Sequence, residues 1–451
     1  MARAGGDRRR IRRAGPRRRG APRPAGARVR RVSGAGPVRA FFALLVAGAA
    51  IGCRPPESSP PSRVFLIVVD TLRRDHLSCY GSPLPTPNID RLAERGQIFS
   101  NAVASFHQTS MSMAALFTGR TPSIESGEPG RTLHWNGRTW CGLIRFARME
   151  GEDSCIPSGV PTLGEEMKRA GYRTVGVVSN PYLFRPAGFD RGFDEWVEVG
   201  ARPANREGIK LVDASTHTAA HVTRAVLEVL DRLPAENLFV YVHYLDVHDY
   251  ALLDRTYREA LSAFDAAFGE LLDALEERGL LEDARVVFTS DHGEQLGEKH
   301  ALRVGMHLGN PSFEPVLRVP LIVSPPLLED ASRFLRLEDV FDLIRQMGRP
   351  VEAEASELGP DELFLSEQLY QTLRKGRWKA TRRREDGRLY LFDLHDDPGE
   401  TRDVADAFPT VARDHERRID ELADRLAARG DRPATLSPDD RERLRVLGYA
   451  R

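Results

Sequence analysis

Apolar positions divide this chain into a polar, arginine-rich head and a body in which strand-like and helix-like stretches alternate. Arg63-Val-Phe-Leu-Ile-Val-Val-Asp70 is a continuous apolar run closed by a carboxylate, which predicts a strand buried on both sheet faces with a functional residue at its carboxyl end. Tyr172–Ser179, Leu238–His243 and Ala284–Asp291 repeat the pattern, each after a helical stretch: Leu163–Ala170, Thr218–Leu233 and Tyr257–Arg278. That succession predicts an α/β domain with a largely parallel central sheet. Past Pro326 the character changes. Leu373–Ala380 and Arg388–Asp393 look like antiparallel strands and Val411–Arg429 like an amphipathic helix, so a smaller C-terminal α+β subdomain is expected. The expected boundaries are a signal region at 1–52, a tether at 53–62, a catalytic α/β domain at 63–325 and the subdomain at 326–451.

The head reads as an address. Ala40–Ile51 is a 12-residue apolar run, too short for a stable membrane span and the right length for a signal-peptide core. It ends in Gly52-Cys53, and small residues before a cysteine resemble a bacterial lipoprotein signal whose cysteine is lipidated. Arg54–Ser62, rich in Pro and Ser, would then tether a folded body to a membrane. The expected location is the bacterial cell envelope, periplasmic or cell-surface, with Cys53 in the membrane.

Charge sharpens this division. The 451 residues carry 65 basic and 65 acidic side chains, but residues 1–52 hold 14 Arg and one acid, leaving a formal charge of −13 from Cys53 onward. A nucleic-acid binder would need its positive charge on the folded body, so no nucleic-acid partner is expected. Four cysteines fit an exported chain. Cys141 and Cys155 could pair within a Gly/Trp-rich stretch, and Cys79 would remain a buried thiol.

Chemistry gathers at strand ends. Asp70, the pair Asp291-His292 and the segment His243-Tyr-Leu-Asp-Val-His248 put carboxylates and imidazoles where a parallel sheet places its site. Oxygen and nitrogen ligands of this kind suit a divalent metal ion such as Mg²⁺, Ca²⁺, Mn²⁺ or Zn²⁺. His243, on a strand, is as well explained by a satisfied core position as by a ligand role, and His243, Asp246, His248 and His307 could together form a second metal site. Arg120, after a Thr-Gly turn, is a candidate for binding an ester anion, with a surface arginine as the equal alternative. For Asn180, before Pro181, a turn role is the simpler one.

Several ordered motifs are then specific. Val69-Asp-Thr-Leu-Arg-Arg-Asp-His-Leu-Ser-Cys-Tyr-Gly81, Thr86-Pro-Asn-Ile-Asp-Arg-Leu-Ala93, Leu116-Phe-Thr-Gly119, Phe288-Thr-Ser-Asp-His-Gly-Glu294 and Arg318-Val-Pro-Leu-Ile322 resemble the sulfatase family of the alkaline-phosphatase superfamily. The resemblance implies an alkaline-phosphatase-like α/β sandwich and a metal-dependent hydrolase of sulfate or phosphate esters, working through a covalent enzyme intermediate. It implies Asp70, Asp291 and His292 as metal ligands and His248 and His307 as substrate-contacting or proton-donating groups, and Arg120 and His243 are then the candidates for binding the substrate. The partner is then an anionic ester, such as a sulfated or phosphorylated glycan or lipid.

Two departures matter. The family often has a second acid after the first, and here Thr71 stands there. The family's Cys/Ser-x-Pro-x-Arg nucleophile pattern falls on Thr109-Ser-Met-Ser-Met113, where all three defining residues differ. A threonine cannot become the formylglycine aldehyde, so the resemblance implies Thr109 as a direct nucleophile, as in phosphodiesterase and phosphotransferase branches of the superfamily. Ser110 and Ser112 are weaker candidates, and a role for Thr109 as a helix N-cap is compatible with catalysis. A catalytically decayed binding lipoprotein is the alternative of another class.

Overall fold

The computed structural model describes residues 61–123, 132–134, 156, 160–185, 187–201, 213, 215–234, 237–302, 312–348, 358–367 and 369–426. Cys53, Cys141, Cys155, His307 and the apolar run 40–51 lie outside them. The central sheet has seven strands: β1 (Arg63–Val69), β2 (Gln97–Ile98), β3 (Arg173–Val178), β4 (Glu195–Glu198), β5 (Leu238–Tyr244), β6 (Ala284–Thr289) and β7 (Leu321–Ser324), in the order β2-β7-β6-β1-β5-β3-β4. Strands β6, β1, β5, β3 and β4 are parallel neighbours, and β7 pairs antiparallel with both β6 and β2. This is the expected largely parallel sheet, with an antiparallel edge.

Strand alternation explains why the sheet needs cover on both faces. Val64, Leu66 and Val68 of β1 enter one apolar core, and Phe65, Ile67 and Val69 enter the other. Each fully buried side chain of this size contributes about 1.5–3 kcal/mol. The covering helices are α1 (Pro87–Glu94), α2 (Thr109–Thr118), α3 (Leu163–Arg169), α4 (Ala219–Leu230), α5 (Tyr257–Glu277) and α6 (Leu337–Gly348). Helices α1, α4 and α5 supply one core, and α2, α3 and α6 the other. Thr162 with Glu165 and Thr256 with Glu259 form reciprocal capping boxes that fix the starts of α3 and α5.

The C-terminal sheet is antiparallel: β8 (Glu362–Ser366), β9 (Tyr370–Lys375), β10 (Trp378–Arg383) and β11 (Leu389–Asp393), with α7 (Pro409–Leu426) on one face. Two sequence expectations change here. The stretch Leu373–Ala380 is not one strand but the turn of a hairpin, with Lys375 opposite Trp378 and Gly376 at φ 57° between them. Helix α6 lies beyond the expected 325/326 boundary, yet it packs in a core of the central-sheet body, where Val340, Phe341 and Ile344 join residues of α2.

Candidate active site

The carboxyl ends of the parallel strands carry the site. Asp70 directly follows β1, and Asp291 and His292 follow β6 in the adjacent position. All three are buried, and one ligand atom of each lies within 4.8 Å of the others. Among the described residues this is the one such group of three or more.

Each of these side chains is aimed by its neighbours. His243 Nε2 lies 3.1 Å from Asp70 Oδ2, while its Nδ1 lies 2.8 Å from the Tyr241 hydroxyl. The tautomer follows from the partners: Tyr241 donates to Nδ1, and Nε2–H donates to the carboxylate. Asn180 Nδ2 donates to the same oxygen at 2.5 Å, and its Oδ1 accepts from Tyr182 N, so Asn180 both caps a turn and reaches the site. The backbone amides of Thr71 and His292 donate to Asp291 Oδ1 at 3.1 and 2.8 Å. His292 Nδ1 faces the Gly293 carbonyl at 2.8 Å, which turns Nε2 towards the cluster.

These bonds occupy one oxygen of each carboxylate. The remaining atoms, Asp70 Oδ1 and Asp291 Oδ2, are buried without a hydrogen-bond partner. A buried, unpartnered carboxylate oxygen is costly, and two of them beside an imidazole nitrogen form a donor set that fits a divalent cation. The electrostatics agree. Burial alone would raise Asp70, but the His243 hydrogen bond and the charges of His248, His243 and His292 outweigh it and hold it below the usual carboxylate range. Burial, and then the charge of Asp70, push Asp291 up.

Thr109 is brought to this cluster. Its Oγ1 lies 3.4 Å from Asp70 Oδ2 and 3.4 Å from His292 Nε2. It is the first residue of α2, not its N-cap, which is Gln108. The helix is buried along its whole length and points its positive end at the cluster. Ser112 is otherwise engaged, donating to the Asp291 carbonyl at 2.6 Å. Met111 and Met113 are fully buried in the core that α2 shares with α6.

The other candidates fare unequally. His248 follows β5 near Asp70 and Glu294, with its Nδ1 2.6 Å from Asp249 Oδ1. His243 is wholly buried and bonded through both ring nitrogens, so it orients Asp70 and is not a substrate contact. Arg120 stands beyond the other end of α2; ten residues of helix put about 15 Å of rise between it and Thr109, out of reach of the reacting group. The second metal site expected from His243, Asp246, His248 and His307 does not form among the described residues: His243 serves Asp70, and His307 lies outside them. Sequence reasoning missed Asp249 and His217, because nothing in their spacing announces that a loop before α4 meets the end of β5.

A family model described as Sulfatase matches residues 62–344. The chain is 27% identical to N-acetylgalactosamine-6-sulfatase of Rattus norvegicus over 308 residues, 57% of this chain and 55% of that protein. It is 29% identical to arylsulfatase A of Homo sapiens over 299 residues, 58% of this chain and 56% of that protein. The chain thus spans about half the length of the curated relatives it matches. Among solved structures, one in complex with its substrate D-glucosamine-2-N,6-O-disulfate aligns with TM-score 0.58 at 15% identity, covering 82% of this chain and 98% of that one. The phosphonate monoester hydrolase of Agrobacterium radiobacter aligns with TM-score 0.57 at 17% identity, covering 81% and 97%. At these identities the likeness is one of fold, and it agrees with the expected alkaline-phosphatase-like sandwich.

Proposed function

Because this chain belongs to the sulfatase family, with the family region running over residues 62–344, we propose that it is a metal-dependent hydrolase of anionic esters that uses Thr109 as its nucleophile, without formylglycine. The observation that carries this reading is the Thr109 hydroxyl 3.4 Å from both Asp70 and His292, at the positive end of a buried helix. Asp70, Asp291 and His292 would hold the cation, which supplies Lewis-acid stabilisation of the ester's charged oxygens and lowers the pKa of a neighbouring hydroxyl. The chain's own residues do the rest. Asp70 Oδ2 accepts from the Thr109 hydroxyl and orients its oxygen, the amides at the start of α2 favour the anion, and His248, whose charged form is favoured by Asp249, Asp70 and Glu294, would give a proton to the leaving oxygen.

Threonine tilts the substrate towards phosphate esters. A covalent ester on Thr109 has to be released by attack of water or an alcohol on the central atom, which is easier at phosphorus than at sulfur. Sulfated sugars remain the other reading, since a structural neighbour was solved with a disulfated glucosamine as its substrate. Lipidation at Cys53 and residence in the cell envelope belong to the same proposal, supported by the apolar run ending in Gly52-Cys53. Labelled fatty acid lost in Cys53→Ala tests them.

The decisive experiment assays the purified protein on aryl sulfate, phosphomonoester and phosphodiester substrates with Mg²⁺, Ca²⁺, Mn²⁺ and Zn²⁺, beside Thr109→Ala. Activity in the wild type and its loss in the variant are expected. Equal inactivity on every ester would leave the binding-protein reading in its place.

A further inference from the structure

Outside the metal cluster, the described residues bring two histidines onto one buried carboxylate. Asp249 Oδ1 lies 2.6 Å from His248 Nδ1, and Asp249 Oδ2 lies 2.9 Å from His217 Nε2. His217 is buried to 1% exposure and Asp249 to 8%, while His248 keeps 23% of its side chain exposed. The chain of contacts continues, because His217 Nδ1 lies 2.8 Å from the Asp213 carbonyl. The three residues come from two places in the fold: His217 from the loop ahead of α4, and His248-Asp249 from the turn after β5.

The donor and acceptor inventory fixes the protonation pattern. An ionised carboxylate and a carbonyl only accept hydrogen bonds. His217 Nδ1 faces the Asp213 carbonyl and so carries hydrogen, while its Nε2 lies against Asp249 Oδ2 as a close ion-pair contact without hydrogen-bond alignment. His248 presents Nδ1 to the other carboxylate oxygen, so that nitrogen too carries hydrogen, and Nε2 points to the opposite side of the ring.

We propose that Asp249, clamped by His217, is a positioning residue that orients His248 and keeps it protonated as the donor to the leaving oxygen of the ester. The proposal rests on the hydrolase reading above. As the bond between the central atom and the leaving oxygen breaks, its electron pair goes to that oxygen, which takes the proton from His248 Nε2. His248 is left neutral with its Nδ1–H still on Asp249, and water restores the proton. His217 holds the second carboxylate oxygen and prevents Asp249 from rotating away. The geometry has electrostatic support. Burial disfavours a charged His248, yet the Asp249 hydrogen bond and the negative charges of Asp70, Asp249 and Glu294 outweigh it and push its pKa up to about 10. Burial likewise opposes charge on His217, and the Asp249 contact, the Asp213 carbonyl and the charge of Asp246 raise it. Burial would raise Asp249, but its two histidines hold it below the usual carboxylate range.

The test uses the whole protein, with Asp249→Asn and His217→Asn, on two esters that differ in the basicity of the leaving alcohol. A relay predicts that Asp249→Asn lowers kcat by about 10- to 100-fold on the ester with the basic leaving group, and far less on the ester with the acidic one. KM should hardly change, and His248→Asn should show the same asymmetry without adding to Asp249→Asn. Equal losses on both esters in a folded variant would overturn the relay while leaving the hydrolase reading intact. Should the wild type prove inactive on every ester, nitrogen NMR of labelled histidine still decides the positioning. The relay requires a His248 Nδ1–H that persists well above neutral pH and loses that persistence in Asp249→Asn. A wild-type His248 that titrates in the ordinary imidazole range would overturn the proposal independently of activity.

Discussion

Thr109 Oγ1 stands 3.4 Å from Asp70 Oδ2, although 38 residues of chain separate the two positions. The contact arises because β1 ends at the point where α2 begins, so the strand's carboxylate and the helix's first hydroxyl share one edge of the sheet. A hydroxyl at the first turn of a helix is oriented by the backbone itself and does not depend on a flexible stem.

That placement makes the hydroxyl, and not the shape of the side chain, the critical feature. Thr109→Val keeps the volume and the β-branch, so its thermal unfolding should match the wild type within a degree or two, while hydrolysis falls by about 10³-fold or more, equivalent to about 4 kcal/mol of transition-state stabilisation. Thr109→Ser should retain measurable turnover. Intact mass over this peptide should show threonine unmodified; an aldehyde at any residue from Thr109 to Ser112 would refute the formylglycine-free mechanism.

The cation site makes a second prediction through stability. Asp70 and Asp291 are both wholly buried, each with an oxygen that no protein group satisfies. In chelated protein Asp291→Asn should therefore be tolerated or stabilising, on the order of 1 kcal/mol, because it removes one of two repelling buried carboxylates. In wild type, adding the cognate cation should raise Tm in a concentration-dependent way, and Asp291→Asn should abolish that rise. Calorimetry with and without chelator checks both halves. An unchanged cation response in the variant would remove Asp291 from the ligand set.

Asp70, Asp291 and His292 were legible in the sequence because a carboxylate closing an apolar run marks a strand end, and parallel strands bring their ends to one edge. The same logic left His243 open between a satisfied core position and a ligand role, and the core position holds: there it is the hydrogen-bond donor that aims Asp70. Arg120 was misjudged because adjacency to a turn says nothing about which end of a helix faces the site. His217 and Asp249 could not be paired from sequence, since their contact depends on how the turn after β5 packs against the loop before α4. The hairpin at Gly376 was obscured by Arg377, Trp378 and Lys379, which continue a strand-like alternation through the turn.

Met113 holds the position where the family pattern has arginine, yet restoring that arginine should not help. Met113 is fully buried in an apolar core with Phe117 and Phe341. A guanidinium there would be desolvated without a partner, so Met113→Arg should destabilise the fold by about 3–5 kcal/mol and lower Tm by roughly 10 °C or more. Chemical denaturation measures this directly. A Met113→Arg protein of wild-type stability would show that the side chain has an outlet to the site.

The C-terminal sheet is fastened to the central-sheet body by buried charge, which makes stability depend on pH in a defined window. Lys379 Nζ of β10 lies 2.7 Å from Glu400 and 3.6 Å from Glu314, and Arg374 Nε lies 3.2 Å from Glu314. Burial, with the charge of Glu314 added, pushes Glu400 up to about 7. Burial acts the same way on Glu314, but Arg374, Lys379 and Arg318 outweigh it and bring it down to about 2. The signs follow by linkage. Between the ordinary glutamate value and about 7, native Glu400 keeps a proton that the unfolded chain has lost, so its contribution to stability falls as pH rises through that window. Native Glu314 is ionised where the unfolded chain is protonated, so its contribution is full above the ordinary value and is lost as pH falls towards about 2. Glu400→Gln should therefore flatten the decline of Tm between about pH 4.5 and 7, an effect on the order of 1–3 kcal/mol, and leave the acid limb unchanged. Glu314→Gln should instead remove part of the acid limb and destabilise the protein at neutral pH, because it strands Arg374 and Lys379 in the interior. Thermal unfolding from pH 2 to 8 separates the two, and a decline that persists undiminished in Glu400→Gln would assign it to another group.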